Sequence, residues 1–283
     1  MSTINTNEPF WGPVTAKSKH DYAITRYIAE FINTLSNVVY IIYGIYGLRK
    51  LNKNPKADIL RALPYWGLMA VGVCSAAFHL SMKYHTQMMD DLSMLFATTP
   101  VLHRVLTVDM SREASKKLAI LMWTLLLIFI TYHVWTDELI LHFSLFAGMI
   151  ITIGVRTMQL VNLRTVPGSA ARAKIGGIIR FGAFIFSFGF GVWVLENCTC
   201  DALNSARRAV GLPFGFLLEL HGWWHICTGI GAYIFIASVD LLASGEEVKD
   251  IEGSFAWPAP WASRSIFAGK EVAVDKRART KND

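Results

Sequence analysis

Near the C-terminus, a long apolar run contains Glu219-Leu220-His221-Gly222-Trp223-Trp224-His225. On a helix, two imidazoles four residues apart share a face, one turn above the other. That spacing lets both rings reach one metal ion. Charged side chains at membrane depth cost on the order of 2.5–3.5 kcal/mol each, so ionisable groups kept there mark function. The plain alternative is a pair of interfacial histidines hydrogen-bonded to neighbouring helices. Two other stretches carry matching chemistry: Ser75 and His79 are again four apart, and Asp90 opens another largely apolar segment.

Three neutral imidazoles, from His79, His221 and His225, with one water complete the tetrahedron of a catalytic zinc and leave an exchangeable position. Such an ion brings the pKa of its water toward about 7. Asp90 suits a general base that takes a proton from water and returns it to a leaving amine. The Ser75 hydroxyl suits an oxyanion donor rather than a nucleophile. The implied reaction is hydrolysis of an amide or ester in a membrane-embedded substrate. Each residue has a bland role to set beside this. A helical serine usually bonds its own backbone, and an acidic residue in a first turn is favoured by the helix dipole, the role assigned to Asp91. His20, His85, His103, His133 and His142 are assigned to loops, interfaces or packing, and Trp223-Trp224 to an aromatic belt.

The elements that must hold these groups follow from composition. Of 283 residues, 53% are hydrophobic and 17% charged, where a soluble domain would have about 25% charged. The chain therefore reads as an all-α, multi-pass membrane protein. About 20 apolar residues cross the hydrocarbon, and seven stretches qualify: roughly 29–48, 63–82, 89–109, 117–135, 138–160, 175–195 and 215–243. No signal peptide is expected, since residues 1–25 are polar. Basic residues collect in alternate loops: Arg49, Lys50, Lys53, Lys56 and Arg61; Arg104, Arg112, Lys116 and Lys117; Arg156, Arg164, Arg172 and Lys174. The opposite side holds fewer: Lys17, Lys19, Arg26, Lys83, Arg207 and Arg208. This asymmetry puts the N-terminus in the lumen and the C-terminus in the cytosol. Three parts are expected: a lumenal segment (1–28), a seven-helix domain (29–243) and a largely disordered cytosolic tail (244–283) whose Trp257, Trp261 and Phe267 suit a bilayer surface. Basic residues confined to short loops argue against nucleic-acid binding. With this topology the second span ends, and the third and seventh begin, on the lumenal side. Ser75, His79, Asp90, His221 and His225 then fall in one layer.

From about Trp11 to Ala243 the sequence resembles the alkaline ceramidase family, in its fungal ceramidase and phytoceramidase branch. The resemblance rests on Trp11-Gly12-Pro13, Tyr27-Ile28-Ala29-Glu30-Phe31, Asn33-Thr34-Leu35-Ser36-Asn37, Phe78-His79, Met82-Lys83-Tyr84, Gln87 with Asp90, and Leu217 to His225. It implies zinc on His79, His221 and His225, with Ser75 and Asp90 catalytic. It also implies cleavage of a ceramide-type lipid to a sphingoid base and a fatty acid, in the membrane of the endoplasmic reticulum or Golgi. A more distant relation to seven-helix progestin and adiponectin receptors is implied too, so the alternatives are a receptor-like protein with a structural zinc site or an inactive family member.

One departure concerns a second cation. The family's acidic calcium motif before the first helix aligns here with Ala16-Lys17-Ser18-Lys19-His20-Asp21-Tyr22. Only Asp21 and Glu30 match, against the six to eight oxygens that calcium takes. The expectation is that the Lys19 ammonium compensates Asp21 and Glu30 directly and that calcium is not needed. Ser18 stands where the family has a cysteine, which removes the implied partner for Cys198 or Cys200.

Overall fold

Inside a bilayer no water satisfies the backbone, so long apolar runs must close their hydrogen bonds internally as helices. The structure, a computed structural model, describes residue 11 and residues 24–245 and 251–265. Among these residues the regular elements are helical, with one isolated bridge between Thr25 and Ile28. In chain order they are α1 (Phe31–Ser36), α2 (Val38–Leu51), α3 (Ile59–Ser81), α4 (Tyr84–Thr107), α5 (Arg112–Thr136), α6 (Leu139–Arg164), α7 (Ala170–Val210), α8 (Leu220–Ser244) and α9 (Ala259–Ser265). Six stretches among the described residues are long and apolar enough to cross a membrane: Phe31–Leu51, α3, α5, α6, α7 and α8. The protein is a multi-pass, all-helical membrane protein. The seven expected spans exceed these six by one, α4. Its first turns carry Tyr84, His85, Thr86, Gln87, Asp90 and Asp91, the polarity that lowers its hydropathy.

α8 is the central helix. Of its apolar span 61% is buried inside the protein, against 11% for α5, whose side chains face outward. Gly231 brings α8 against α7: a Cβ there would lie 2.8 Å from Phe186 Cβ and 3.1 Å from the Gly182 carbonyl oxygen. Small residues at such crossings let helices without a hydrophobic driving force pack closely. At the far end of α8, Asp240 receives Arg61 Nε and Nη2, each at 2.9 Å, and Arg104 Nη2 at 2.9 Å. This cluster ties α3 and α4 to α8. Asp240→Leu strands two guanidinium groups and is expected to cost about 3–5 kcal/mol of stability. Unfolding in detergent measures it, and an unchanged midpoint would contradict the assignment.

Several boundaries depart from expectation. α4 starts at Tyr84 rather than near 89, where the Thr86 hydroxyl accepts from the Lys83 N–H (3.3 Å) and donates to the Lys83 carbonyl (2.9 Å). α7 runs 41 residues to Val210 with a bend at Thr199 (φ −121°, ψ 17°), where a loop after 195 was expected. At 1.5 Å per residue that is about 60 Å, twice the hydrocarbon thickness, so its last turns project beyond the span. The third departure is the tail. Residues 251–265 are not disordered: Phe255, Ala256, Ala259 and Ala262 make a buried face, a spacing that the prolines and charges around them conceal. Lys50 Nζ donates to the Gly253 carbonyl (2.6 Å), Tyr43 Oη to that of Trp257 (2.8 Å), and the Ala256 N–H to Tyr233 Oη (3.1 Å). Trp257 and Trp261 remain exposed. Phe267 and the basic run Lys276 to Lys281 lie outside the described residues.

Candidate metal centre

α3 and α8 deliver the three histidines, and α1 holds them in place. The chain entering α1 pairs with the end of α3: the Glu30 N–H donates to the His79 carbonyl and the Ala29 N–H to that of Leu80, both at 3.0 Å. A short 3-10 turn, Phe214–Leu218, leads into α8, which starts at Leu220 rather than near 215. His221 and His225 therefore stand in its first two turns. Ligand atoms of His79, His221 and His225 all lie within 4.8 Å of one another, the one such group of three His, Cys, Asp or Glu residues among those described. Their ring centroids are 4.7–5.0 Å apart.

Hydrogen bonding assigns the tautomer of two of the rings. His79 Nδ1 is 2.6 Å from Glu30 Oε2, an oxygen to which Asn33 Nδ2 also donates at 3.0 Å. A carboxylate can only accept, so His79 carries its proton on Nδ1. Its Nε2 is buried with no hydrogen-bond partner, an unpaired acceptor that is costly unless something binds it. His225 Nδ1 is 2.8 Å from Ser36 Oγ. The Ser36 proton goes to the Asn33 carbonyl (3.0 Å), so the imidazole donates here as well. His221 Nδ1 faces Glu196 Oε2 at 3.5 Å. His79 and His225 thus keep Nε2 as the acceptor, and with His221 the three rings make a donor set compatible with zinc.

Gly222 makes the Ser36 contact possible. A Cβ at this position would lie 2.9 Å from Ile32 Cγ2 and 3.6 Å from Ser36 Oγ. Gly222→Val is expected to push α1 off α8 at a cost of about 1–3 kcal/mol, seen as a lower melting temperature in detergent. An unshifted melt would contradict this packing account.

Of the two residues read as catalytic, Ser75 is buried on α3 and lies close to the Asp90 carboxyl on α4. His221 lies near enough to that carboxylate to interact electrostatically. Five residues from three elements therefore meet in one layer. Asp91 is not a first-turn charge, because α4 begins seven residues before it. It faces His133, whose Nε2 is 3.8 Å from Asp91 Oδ2, and its carbonyl accepts from His142 Nε2 at 3.0 Å. Both histidines are fully buried; they link α5 and α6 to α4 rather than simply filling space. Of the suggested calcium ligands, Glu30 is engaged with His79 and Asn33, while Asp21 and the compensating Lys19 lie outside the described residues. Ser36, Glu196 and Arg207 are site residues that sequence reasoning missed. Only Ser36 had a signal, as part of the Asn33–Asn37 motif. Cys198 and Cys200 are free, with Cys198 exposed.

His79 and His221 open to a cavity of about 730 Å³ whose walls also include Glu196, Arg207 and Glu219. On the inner side, Tyr40, Met94, Phe186, Trp224 and Phe235 line a largely apolar space between the helices. The arrangement combines a metal-binding face, a carboxylate and a hydroxyl with an apolar interior suited to alkyl chains.

Comparison with known proteins gives a consistent picture. The ceramidase family profile matches residues 18–266. The chain is similar to the alkaline ceramidase YPC1 of Saccharomyces cerevisiae, at 31% identity over 82% of this chain and 78% of the relative. It is also similar to the alkaline ceramidase 3 of Mus musculus, at 27% over 83% and 87%. An alkaline ceramidase of Caenorhabditis elegans is 23% identical over 95% of both chains.

Proposed function

The chain belongs to the ceramidase family of ceramide-hydrolysing enzymes, and from that premise we propose that it is a zinc-dependent hydrolase cleaving the amide of ceramide or phytoceramide within the membrane. The observation that carries this reading is the convergence of three buried or half-buried imidazoles, two of them hydrogen-bonded at Nδ1, with Ser75 and Asp90 close by. His79, His221 and His225 would hold the zinc, which when bound supplies an acidified water and polarises the amide carbonyl. Asp90 takes the proton from the attacking water. As the C–N bond breaks, Asp90 passes that proton to the departing nitrogen, so the sphingoid base leaves as a free amine and the acyl group as a fatty acid. The Ser75 hydroxyl donates to the oxygen that gains charge at the former carbonyl. Glu30 and Ser36 keep two rings oriented, and the apolar interior excludes water and takes the alkyl chains.

The proposed topology has seven crossings, with the N-terminus lumenal and the C-terminus cytosolic. In support, α4 is about 36 Å long and packs against α3, α5, α6 and α8, and the basic loops alternate. Residues 29–243 form the proposed hydrolase domain. The endoplasmic reticulum or Golgi location rests on family resemblance alone. Calcium is not required in this reading: with zinc supplied in excess, chelating calcium leaves turnover unchanged. Loss of activity restored by calcium would reverse that point. The defining experiment incubates purified full-length protein with ceramide and phytoceramide and identifies the products by mass spectrometry. Equal release of fatty acid and sphingoid base without a partner protein is expected. No turnover despite bound zinc would favour a receptor-like protein.

A further inference from the structure

Two of the three imidazoles have close Nδ1 partners, Glu30 at 2.6 Å and Ser36 at 2.8 Å. His221 differs. Its partner oxygen, Glu196 Oε2, is 3.5 Å away, beyond ordinary hydrogen-bond length, and comes from α7 just before the bend at Thr199. The other oxygen of Glu196 is 3.4 Å from Arg207 Nη2, beyond that bend. Arg207 Nη1 donates at 2.9 Å to Glu219 Oε2, two residues before His221. The side chains of Glu196 and Arg207 are only 15% and 11% exposed, so this pair is shielded more than an ordinary surface ion pair. One guanidinium therefore joins the two arms of the bent helix to the start of α8.

We propose that Glu196 is a positioning residue for His221 and that Arg207 holds it there, so that the bend in α7 acts as a latch on the third metal ligand. The inference rests on the metal reading above and goes beyond it. A carboxylate behind a ligating imidazole fixes the tautomer, orients the ring and raises the basicity of the other nitrogen. Arg207 bears on His221 twice, through Glu196 behind the ring and through Glu219 on the backbone leading to it. A different role is open to the same residues, because both line the outer cavity. If they only greeted the lipid headgroup, substitutions would move KM and leave metal affinity alone.

The test is zinc affinity of purified full-length protein, measured by competition with a chromophoric chelator, beside KM and kcat for ceramide. Glu196→Ala and Glu196→Gln are expected to weaken zinc binding about 10- to 100-fold. Arg207→Gln should weaken it less, and Arg207→Lys should recover part of the loss. Using both Glu196 substitutions guards against one that fails to fold, with melting temperature as the check. Wild-type zinc affinity in folded Glu196 and Arg207 variants, whatever their KM, would overturn the latch while leaving the metal reading intact. A wild-type protein that binds no zinc would overturn both.

Discussion

His225→Ala is expected to lose stoichiometric zinc and about 10³-fold or more in kcat/KM, a deficit of about 4 kcal/mol in transition-state stabilisation. His225 is buried at the centre of the bundle, with its Nδ1 proton committed to Ser36. Among the described residues no Cys, Asp or Glu joins His79 and His221 in a three-ligand group, so none of them stands ready to replace a lost imidazole. Zinc by mass spectrometry under native conditions and ceramide hydrolysis read the two losses on one sample. The informative controls are His133→Gln and His142→Gln. These histidines are as deeply buried as His225 but bond Glu138 and Asp91 carbonyls, so zinc content should stay at one per chain in both. If His225→Ala kept its zinc, or the controls lost theirs, the metal would lie elsewhere.

Asp90→Asn separates proton transfer from metal binding. The substitution preserves volume, but the amide has no basicity at neutral pH. A loss of about 10²–10⁴ in kcat is expected, with zinc content retained and KM little changed. Ser75→Ala should lose about 10²–10³ through the missing oxyanion donor. Steady-state kinetics on zinc-loaded protein distinguishes these patterns. An Asp90→Asn enzyme with near-normal kcat would remove Asp90 from the chemistry. One that lost its zinc would make Asp90 part of the metal shell instead.

The histidines were legible because helical spacing is rigid. His221 and His225, and likewise Ser75 and His79, had to share faces once their segments were helices, and short loops had to bring those faces to one layer. What stayed hidden was whatever depended on where a helix starts, bends or meets a distant partner. Asp91 looked like a first-turn charge because α4 was expected to begin at 89; the helix starts at Tyr84, where the Thr86 hydroxyl bonds the Lys83 backbone, and Asp91 faces His133 two turns in. Glu196 and Arg207 fell in an expected loop, since nothing in the residues around Thr199 announces that α7 continues past its bend. Glu30 was read as a possible cation ligand, and only geometry reveals its bond to His79. The tail was read from its prolines and charges, which obscured four small or aromatic residues spaced to cover the bundle.

The most direct test of the central claim is a metal titration of activity. Purified protein is stripped with a strong chelator, dialysed, and returned to zinc in steps while fatty-acid release from ceramide is followed. The account predicts negligible hydrolysis in the stripped protein, recovery in proportion to bound zinc, and a plateau at one zinc per chain. Full turnover by metal-free protein, or no recovery with the site refilled, would contradict it.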